Sequence, residues 1–352
     1  VKQRAPYVDL VFGTLNIPEL PKLIKEIEND NKVVSISKTP INRSQEDTNV
    51  KRQAGLNAWL PIIDGCDYFC TYCVVPYVRG RQRSRMPEDI IKEANSIVTQ
   101  GYREITLLGQ TVDSYGRDID DPDINLANLL RELNKIEGIY RIRFVTSYPT
   151  DITDDLIQAV KDLDKVCEYF HIPMQSGNTE ILKKMRRHYT REEYIDICNK
   201  IRANIPDVTI TSDFIVGFPG ETQEQFEDTL SIIDEVGLDY SNTAAYSPRK
   251  QTPAATWRDQ YISEEVKKER LNILNDKVKE ASKKSNEKYL GRVLDVLVEE
   301  SKVEDGKTIL SGRTRNNKVV HFEGNPDQVG QLVNVKMEEA LVWCLRGTQF
   351  FN

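Results

Sequence analysis

Residues 65–85 read GCDYFCTYCVVPYVRGRQRSR: Cys66, Cys70 and Cys73 fall within eight positions, and Arg79, Arg81, Arg83 and Arg85 follow at once. The stretch comes directly after AWLPII at 58–63, the first of six strand-like runs; the others are EITLLG, RIRFVTS, EYFHIP, VTITSDFIVGF and LDYSNTAAY. Helix starts separate these runs. Pro87 can open a helix at its first position, and Thr153 precedes two acids that suit a positive helix end. Thr190 with Glu193, and Thr222 with Gln225, form capping-box patterns. Six β-then-α units predict a parallel sheet, open or curled into a partial barrel. Chemistry in such folds collects at the C-terminal ends of the strands, so a thiol-rich loop after the first strand lands on the functional rim.

Outside 58–286 the texture differs. Residues 1–36 hold VDLVF and a helix, IPELPKLIKEIEN, with Leu20, Leu23, Ile24 and Ile27 on one face. That is too little to bury a core, and with Val1 as its first residue it reads as the C-terminal remnant of an α/β domain. Residues 37–57 are polar and unperiodic, a linker. Ser263 starts a long charged helix reaching about Tyr289. Residues 287–352 then carry VLDVLVEE, KTILSGRT, KVVHFEG, QLVNVKMEEAL and VWCLRGTQF between Gly and Asn-Asn turns, which predicts a small all-β barrel of OB-like size.

The 352 residues carry a net charge of -7, which argues against a general polyanion binder but leaves room for local basic patches. Three such groups stand out: the four arginines after the cysteines; Lys183, Lys184, Arg186 and His188; and Arg313, Arg315 and Lys318 in a turn of the β segment. The first begins at a presumptive cofactor rim, where phosphate contact is expected. No apolar run approaches a membrane span and no signal-peptide pattern occurs, so the expectation is a cytoplasmic protein, a monomer without membrane contact. The six cysteines make a poor disulfide framework in a chain of this kind. Cys198 shares a helical face with Tyr194 and Ile201, and Cys344 alternates with apolar residues, so both are expected in cores. Cys167 precedes a strand end and keeps a possible role at the site. His171, His188 and His321 have no metal-ligand spacing and are assigned no catalysis.

Three thiols at CxxxCxxC spacing fit some metals better than others. A structural zinc takes four protein ligands, usually in two paired knuckles, and no second pair follows. A thioredoxin-like pair needs only two cysteines. A cubic iron–sulfur cluster held by three thiolates leaves one iron open for a substrate. The cluster is the favoured reading, with zinc the alternative.

The loop, with Tyr72 between its last two cysteines, resembles the radical S-adenosylmethionine superfamily. Together with LLGQTVDSYG, HIPMQSGN, MRRHYTREEY, SDFIVGFPGETQEQF and YSPRKQTPA in this order, it is similar to the tRNA methylthiotransferases, most closely the MiaB type. GRTRNNKVVHFEG resembles the RNA-binding TRAM module of those enzymes. The resemblance implies a partial (β/α)6 barrel, a TRAM barrel at 287–352, and before them the tail of a methylthiotransferase N-terminal domain. It implies a 4Fe-4S cluster on Cys66, Cys70 and Cys73, with S-adenosylmethionine contacted by Tyr72, Gly109, Gln110, Ser147, Gln175, Arg187, and Gly217, Phe218, Pro219 and Gly220 of the GFPG turn. RNA contacts would come from Arg79, Arg81, Arg83, Arg85, Arg313, Arg315 and Lys318.

The implied reaction breaks S-adenosylmethionine to methionine and a 5′-deoxyadenosyl radical, which takes hydrogen from C2 of N6-isopentenyladenosine beside the anticodon. Sulfur and methyl follow. The implied partners are the tRNA anticodon stem-loop, an electron donor such as flavodoxin or ferredoxin, and a sulfur donor. A second 4Fe-4S cluster belongs to the family's preceding domain, and its ligands have no counterpart in this chain. A chain without that domain is expected to cleave S-adenosylmethionine but not to insert sulfur. Sister enzymes acting on threonylcarbamoyladenosine or a ribosomal-protein aspartate, and a non-catalytic zinc-containing RNA-binding protein, are the alternatives. Thr111, Asp113, Tyr148 and Gln251 depart from the family pattern, and none is expected to touch the cluster.

Overall fold

The computed structural model describes residues 5–29, 32–37, 52 and 55–351. Most of the linker expected at 37–57 lies outside the described residues. Six strands run parallel in chain order: β1 (Asn57–Pro61), β2 (Glu104–Leu108), β3 (Arg141–Phe144), β4 (Tyr169–His171), β5 (Thr209–Val216) and β6 (Tyr240–Ala245). β1 to β3 and β4 to β6 pair as two triplets, joined by a bridge between Ile142 and Val166 and by Ser147 N–H to the His171 carbonyl at 2.9 Å. Among the described residues no pairing closes β6 onto β1, so the barrel is partial.

Alternation decides what faces where. On β1, Ala58 and Leu60 join the core under the helices, while Asn57, Trp59 and Pro61 alternate away from it. On β5, Ile210 and Phe214 join the core, and Thr211 and Asp213 reach His171 of β4 inside the barrel.

The outer helices begin where the sequence predicts. α1 (Pro87–Thr99) opens on its proline, followed by α2 (Leu126–Asn134). Thr153 accepts from Leu156 N–H at 3.1 Å at the head of α3 (Asp154–Asp162). α4 (Thr179–Lys184) follows, and both capping boxes form, at Thr190 for α5 (Arg191–Asn204) and Thr222 for α6 (Gln223–Val236). Ser263 caps α7 (Glu264–Glu287).

Five strands close the C-terminal barrel in the order β7 (Val293–Glu304), β8 (Lys307–Thr314), β9 (Val319–Glu323), β11 (Leu345–Gln349), β10 (Leu332–Ala340), around Val296, Leu310, Val320, Phe322 and Met337. This β-domain is seated on the N-terminal ends of the parallel strands. Arg143, at the start of β3, donates to Glu104 at 3.0 Å and to the carbonyls of Thr314 and Arg315 at 2.8 and 2.6 Å. Arg141 reaches Asp295 at 2.7 Å and the Arg313 carbonyl. Arg315 grips Glu168 at 2.7 Å and the carbonyls of Asp164 and Val166, both at 2.6 Å.

Two expectations for RNA contact are thereby corrected. Arg315 is used up in joining the domains, and Lys318 is buried beneath α7, donating to Ser285 at 2.7 Å. Burial pushes the Lys318 ammonium down to about 8, against the pull of Asp239. The unfolded chain keeps its proton up to the ordinary lysine range near 10.4. Between those values the unfolded state binds more protons, so stability rises with pH. Urea unfolding should show wild type gaining on the order of 2 kcal/mol from pH 7.5 to 10 relative to Lys318→Met; parallel curves would refute this.

Near the N-terminus, Leu10–Phe12 pairs in parallel with Val33–Ser35, flanking a helix at Leu20–Glu28. Leu23 is buried there, but Ile24 is 45% exposed, outside the apolar face expected for it. Thr14 Oγ1 donates to the Val78 carbonyl at 3.0 Å, against the short helix Val75–Arg79 that follows the cysteine loop. Cys198 is fully buried, as expected. Cys344 sits half-buried in the turn before β11, not in a strand core. Cys167 is buried just before β4, beside Arg143 and Glu104 at the floor of the barrel, at the opposite end from Cys66. That position removes it from the site.

Candidate functional site

The chain leaves β1 through a short antiparallel pair, Ile63–Asp64 with Arg83–Ser84, and the loop between them carries the three cysteines. Its shape is fixed from below: Thr71 donates its N–H to the Met185 carbonyl at 3.0 Å and its hydroxyl to the Lys184 carbonyl at 2.8 Å. Phe69 takes a left-handed φ of 48°, and Cys73 N–H closes a turn on the Cys70 carbonyl at 3.0 Å. All three thiols are free, and Cys70 is buried. Burial pushes the Cys66 thiol up to about 11 and raises Cys73 as well, with Cys70 adding to both penalties. Such a site holds thiolates only with a cationic group among them, which bound iron supplies. A cubic cluster gives each thiolate its own iron, so its three ligands need not converge on one point as those of a single zinc must.

The other strand ends bring the remaining expected residues around this loop. Gln110 Oε1, after β2, and Ser147 Oγ, after β3, are buried without a partner. Buried polar atoms in folded proteins are nearly always satisfied, so two orphans beside one loop mark a place for a ligand. Ser147 follows Thr146, a β-branched residue at φ 73°; Gln175 is itself at φ 78°; and Arg187 follows Arg186 at φ 58°. Left-handed non-glycine residues are rare, and here two follow the ends of β3 and β4 and the third follows α4. Arg187 is buried, donating from Nε to Tyr189 at 2.7 Å and from Nη2 to the Pro173 carbonyl at 2.5 Å.

The GFPG turn supplies an apolar wall. Gly217 has a φ of 67°, and a Cβ there would lie 2.2 Å from Lys267. Phe218 is buried with Ile181, Met185, Tyr246 and Ala254, and its ring meets Tyr72 edge-on at 6.5 Å. Gly109 is equally constrained, since a Cβ would lie 2.1 Å from Ile63 Cγ2.

A layer behind the loop was not anticipated. Tyr68, inside the CxxxCxxC stretch, stacks on Tyr148 at 3.6 Å and donates to Asp151, which also pairs with Arg117 at 2.8 Å. Asp113 accepts the Tyr148 N–H at 2.8 and 3.0 Å. Burial raises the Asp113 and Asp151 carboxyls, against the pull of Arg117 on Asp151. The Thr111 hydroxyl faces the Cys66 sulfur. The departures at 111, 113 and 148 are thus gathered behind the cysteine loop, which all three support. Inside the barrel, His171 lies 3.3 Å from Asp213 and 2.9 Å from Thr211, and Asn242 donates to Asp213 at 2.9 Å. Burial works to raise the Asp213 carboxyl, but these hydrogen bonds prevail and hold it low. A charged residue at an inward position of a buried strand, the Asp of TSDFIV, was the available signal.

Of the arginines after the loop, Arg81 is exposed, stacked 4.6 Å over Phe69, and Arg79 is partly exposed 3.8 Å from Asp64. Arg85 turns inward to Glu93 at 2.8 Å and the Pro61 carbonyl at 2.7 Å, contrary to its expected RNA contact, and Arg83 is half-buried in the strand pair. Arg313 is partly exposed and held by Glu299 at 2.8 Å.

A parallel partial barrel with a three-cysteine loop on its rim defines a radical S-adenosylmethionine enzyme, and residues 60–233 match the Radical SAM superfamily. Residues 287–350 match the TRAM domain. The tRNA-2-methylthio-N(6)-dimethylallyladenosine synthase of Thermoanaerobacter pseudethanolicus is 48% identical over 347 residues, 99% of this chain and 73% of the relative. Its namesake in Acetivibrio thermocellus is 48% identical over 99% of this chain and 72% of the relative. The chain belongs to the tRNA-2-methylthio-N(6)-dimethylallyladenosine synthase family. Among solved structures, the radical S-adenosylmethionine methyltransferase TsrM of Kitasatospora setae, with cobalamin and a [4Fe-4S] cluster bound, matches at 17% identity and a TM-score of 0.49, over 60% of this chain and 42% of that one. Methylornithine synthase matches at 16% identity and a TM-score of 0.45, over 63% and 62%. No helix among the described residues is long and apolar enough to cross a membrane.

Proposed function

We infer that the protein is a tRNA methylthiotransferase that exchanges the C2 hydrogen of N6-isopentenyladenosine, next to the anticodon, for a methylthio group. Family membership supports the reaction class. The observation that carries the site assignment is the pair of orphaned buried atoms, Gln110 Oε1 and Ser147 Oγ, at the strand ends that also carry the loop of three free thiols, one buried and two half-buried. Cys66, Cys70 and Cys73 would each hold one iron of a four-iron cluster. When bound, the cluster and S-adenosylmethionine supply the electron transfer and the hydrogen abstraction.

The chain's own residues then bind, orient and enclose. Gln110, Ser147 and Gln175 present polar atoms from successive strand ends and Arg187 from the turn after α4, and Tyr72 with Phe218 offers an apolar cradle for a purine. The GFPG turn, Gly217 to Gly220, lets backbone come close. A base in an anticodon loop is unpaired and turns into such a mouth at low cost. Arg79 and Arg81 stand on the rim for its phosphates. An electron donor of the flavodoxin or ferredoxin type and a sulfur donor complete the reaction. We divide the functional chain at 58–286 for the radical-forming unit and 287–352 for the TRAM unit.

Anaerobic reconstitution should yield about four iron and four sulfide per chain. Ser147→Ala removes a hydroxyl with no internal partner, so stability should hold while S-adenosylmethionine affinity, read by equilibrium dialysis, falls roughly five- to tenfold. Unchanged affinity would remove Ser147 from the site. One bound zinc in place of iron would overturn the function.

A further inference from the structure

The three sulfurs do not share one environment. Cys66 faces the Tyr68 N–H and the Thr111 hydroxyl. Cys73 faces only a backbone donor, the Val75 N–H. Cys70 lies 3.8 Å from Nη1 of Arg187, so it alone is offered a donor that carries a full positive charge.

Arg187 is held in that position from several sides. Besides the Tyr189 hydroxyl and the Pro173 carbonyl, its guanidinium lies over the rings of Tyr148 at 4.3 Å and Tyr189 at 5.0 Å. Tyr148 is in turn fixed by Asp113 at its N–H and by the His188 N–H donating to its hydroxyl at 3.0 Å. None of the guanidinium's hydrogen-bond partners is a carboxylate, and the nearby Asp213 feels its charge without bonding to it. The Thr111 hydroxyl is engaged elsewhere: it lies 2.9 Å from Ser114 Oγ, whose own proton goes to Gln82 at 2.9 Å, so the Thr111 proton points to Ser114.

Reducing an iron–sulfur cluster adds one negative charge, shared between irons and sulfurs. Burial opposes that charge, and donors to the ligand sulfurs favour it. A charge-assisted donor is worth roughly twice a neutral one. We propose that Arg187, through Cys70, raises the reduction potential of the cluster and so decides how readily an external donor fills it. This rests on the reading of Cys66, Cys70 and Cys73 as ligands. Arg187 is a positioning residue in this role, acting through the thiolate. One electron enters, and no bond or proton moves.

The test is a redox titration of the reconstituted full chain, without S-adenosylmethionine, using dithionite and mediators and reading the reduced cluster by electron paramagnetic resonance. Arg187→Met should lower the reduced-to-oxidised ratio at fixed potential by about tenfold, a shift of about 59 mV for one electron, and Arg187→Lys should recover part of it. Iron and sulfide are measured first. A wild type that takes up no iron would sink the ligand assignment itself. Fully loaded variants that titrate with wild type would overturn this inference alone. Should Arg187→Met fail to fold, Arg187→Gln, which keeps a neutral donor, decides the matter, with a fall of about threefold expected.

Discussion

A Cys70→Ala chain is expected to reconstitute without a stable four-iron signal, and its production of 5′-deoxyadenosine should fall on the order of 10⁴-fold or more, as when one member of an interdependent set is removed. Cys70 is central to the loop: it is buried, it closes the turn with Cys73, and it meets Arg187. Losing one small thiol should leave circular dichroism and the unfolding midpoint nearly intact. Cys344→Ala supplies the control. That thiol is half-buried in a turn of the β-domain, so its removal should change neither iron content nor turnover. Equal iron in the Cys70 and Cys344 variants would refute the ligand assignment.

Arg143→Met should destabilise the protein by about 3–5 kcal/mol, because it leaves Glu104 as an unpaired charge in the interior. Glu104 is only 2% exposed and its other oxygen has no partner, so water cannot take over from the guanidinium. The carbonyls of Thr314 and Arg315 lose their donor at the same time. Urea denaturation should show a lower midpoint at unchanged slope if the barrel and β-domain unfold together. A loss below about 1 kcal/mol would mean that the domains are joined mainly by other contacts. Replacing Glu104 with Gln alongside should recover much of the loss, since an amide tolerates burial without a cation better than a carboxylate does.

The barrel and the rim were legible because their signals are local. Six alternating units, the caps at Thr153, Thr190, Thr222 and Ser263, and the spacing of Cys66, Cys70 and Cys73 each lie within a few residues of chain. Ser147, Gln175 and Arg187 came from the family resemblance, and strand ends bring them round the same loop. What the sequence hid depends on pairing across distance. Arg315 reads as a surface cation until its carbonyl meets Arg143, 172 positions away, and its head meets Glu168. Arg85 reads as part of a basic run until it turns to Glu93. Likewise, a threonine, an aspartate and a tyrosine at 111, 113 and 148 show no common purpose until three loops place them behind Tyr68 and Cys66. Cys344 was misplaced because an apolar alternation continued, in sequence, one turn beyond the strand it belonged to.

The hairpin turn from Arg313 to Lys318 stops up the parallel strands from underneath, across the starts of β3, β4 and β5. The β-domain and the cysteine loop therefore sit at opposite ends of the same strands, and the end that carries the loop is left uncovered by the β-domain.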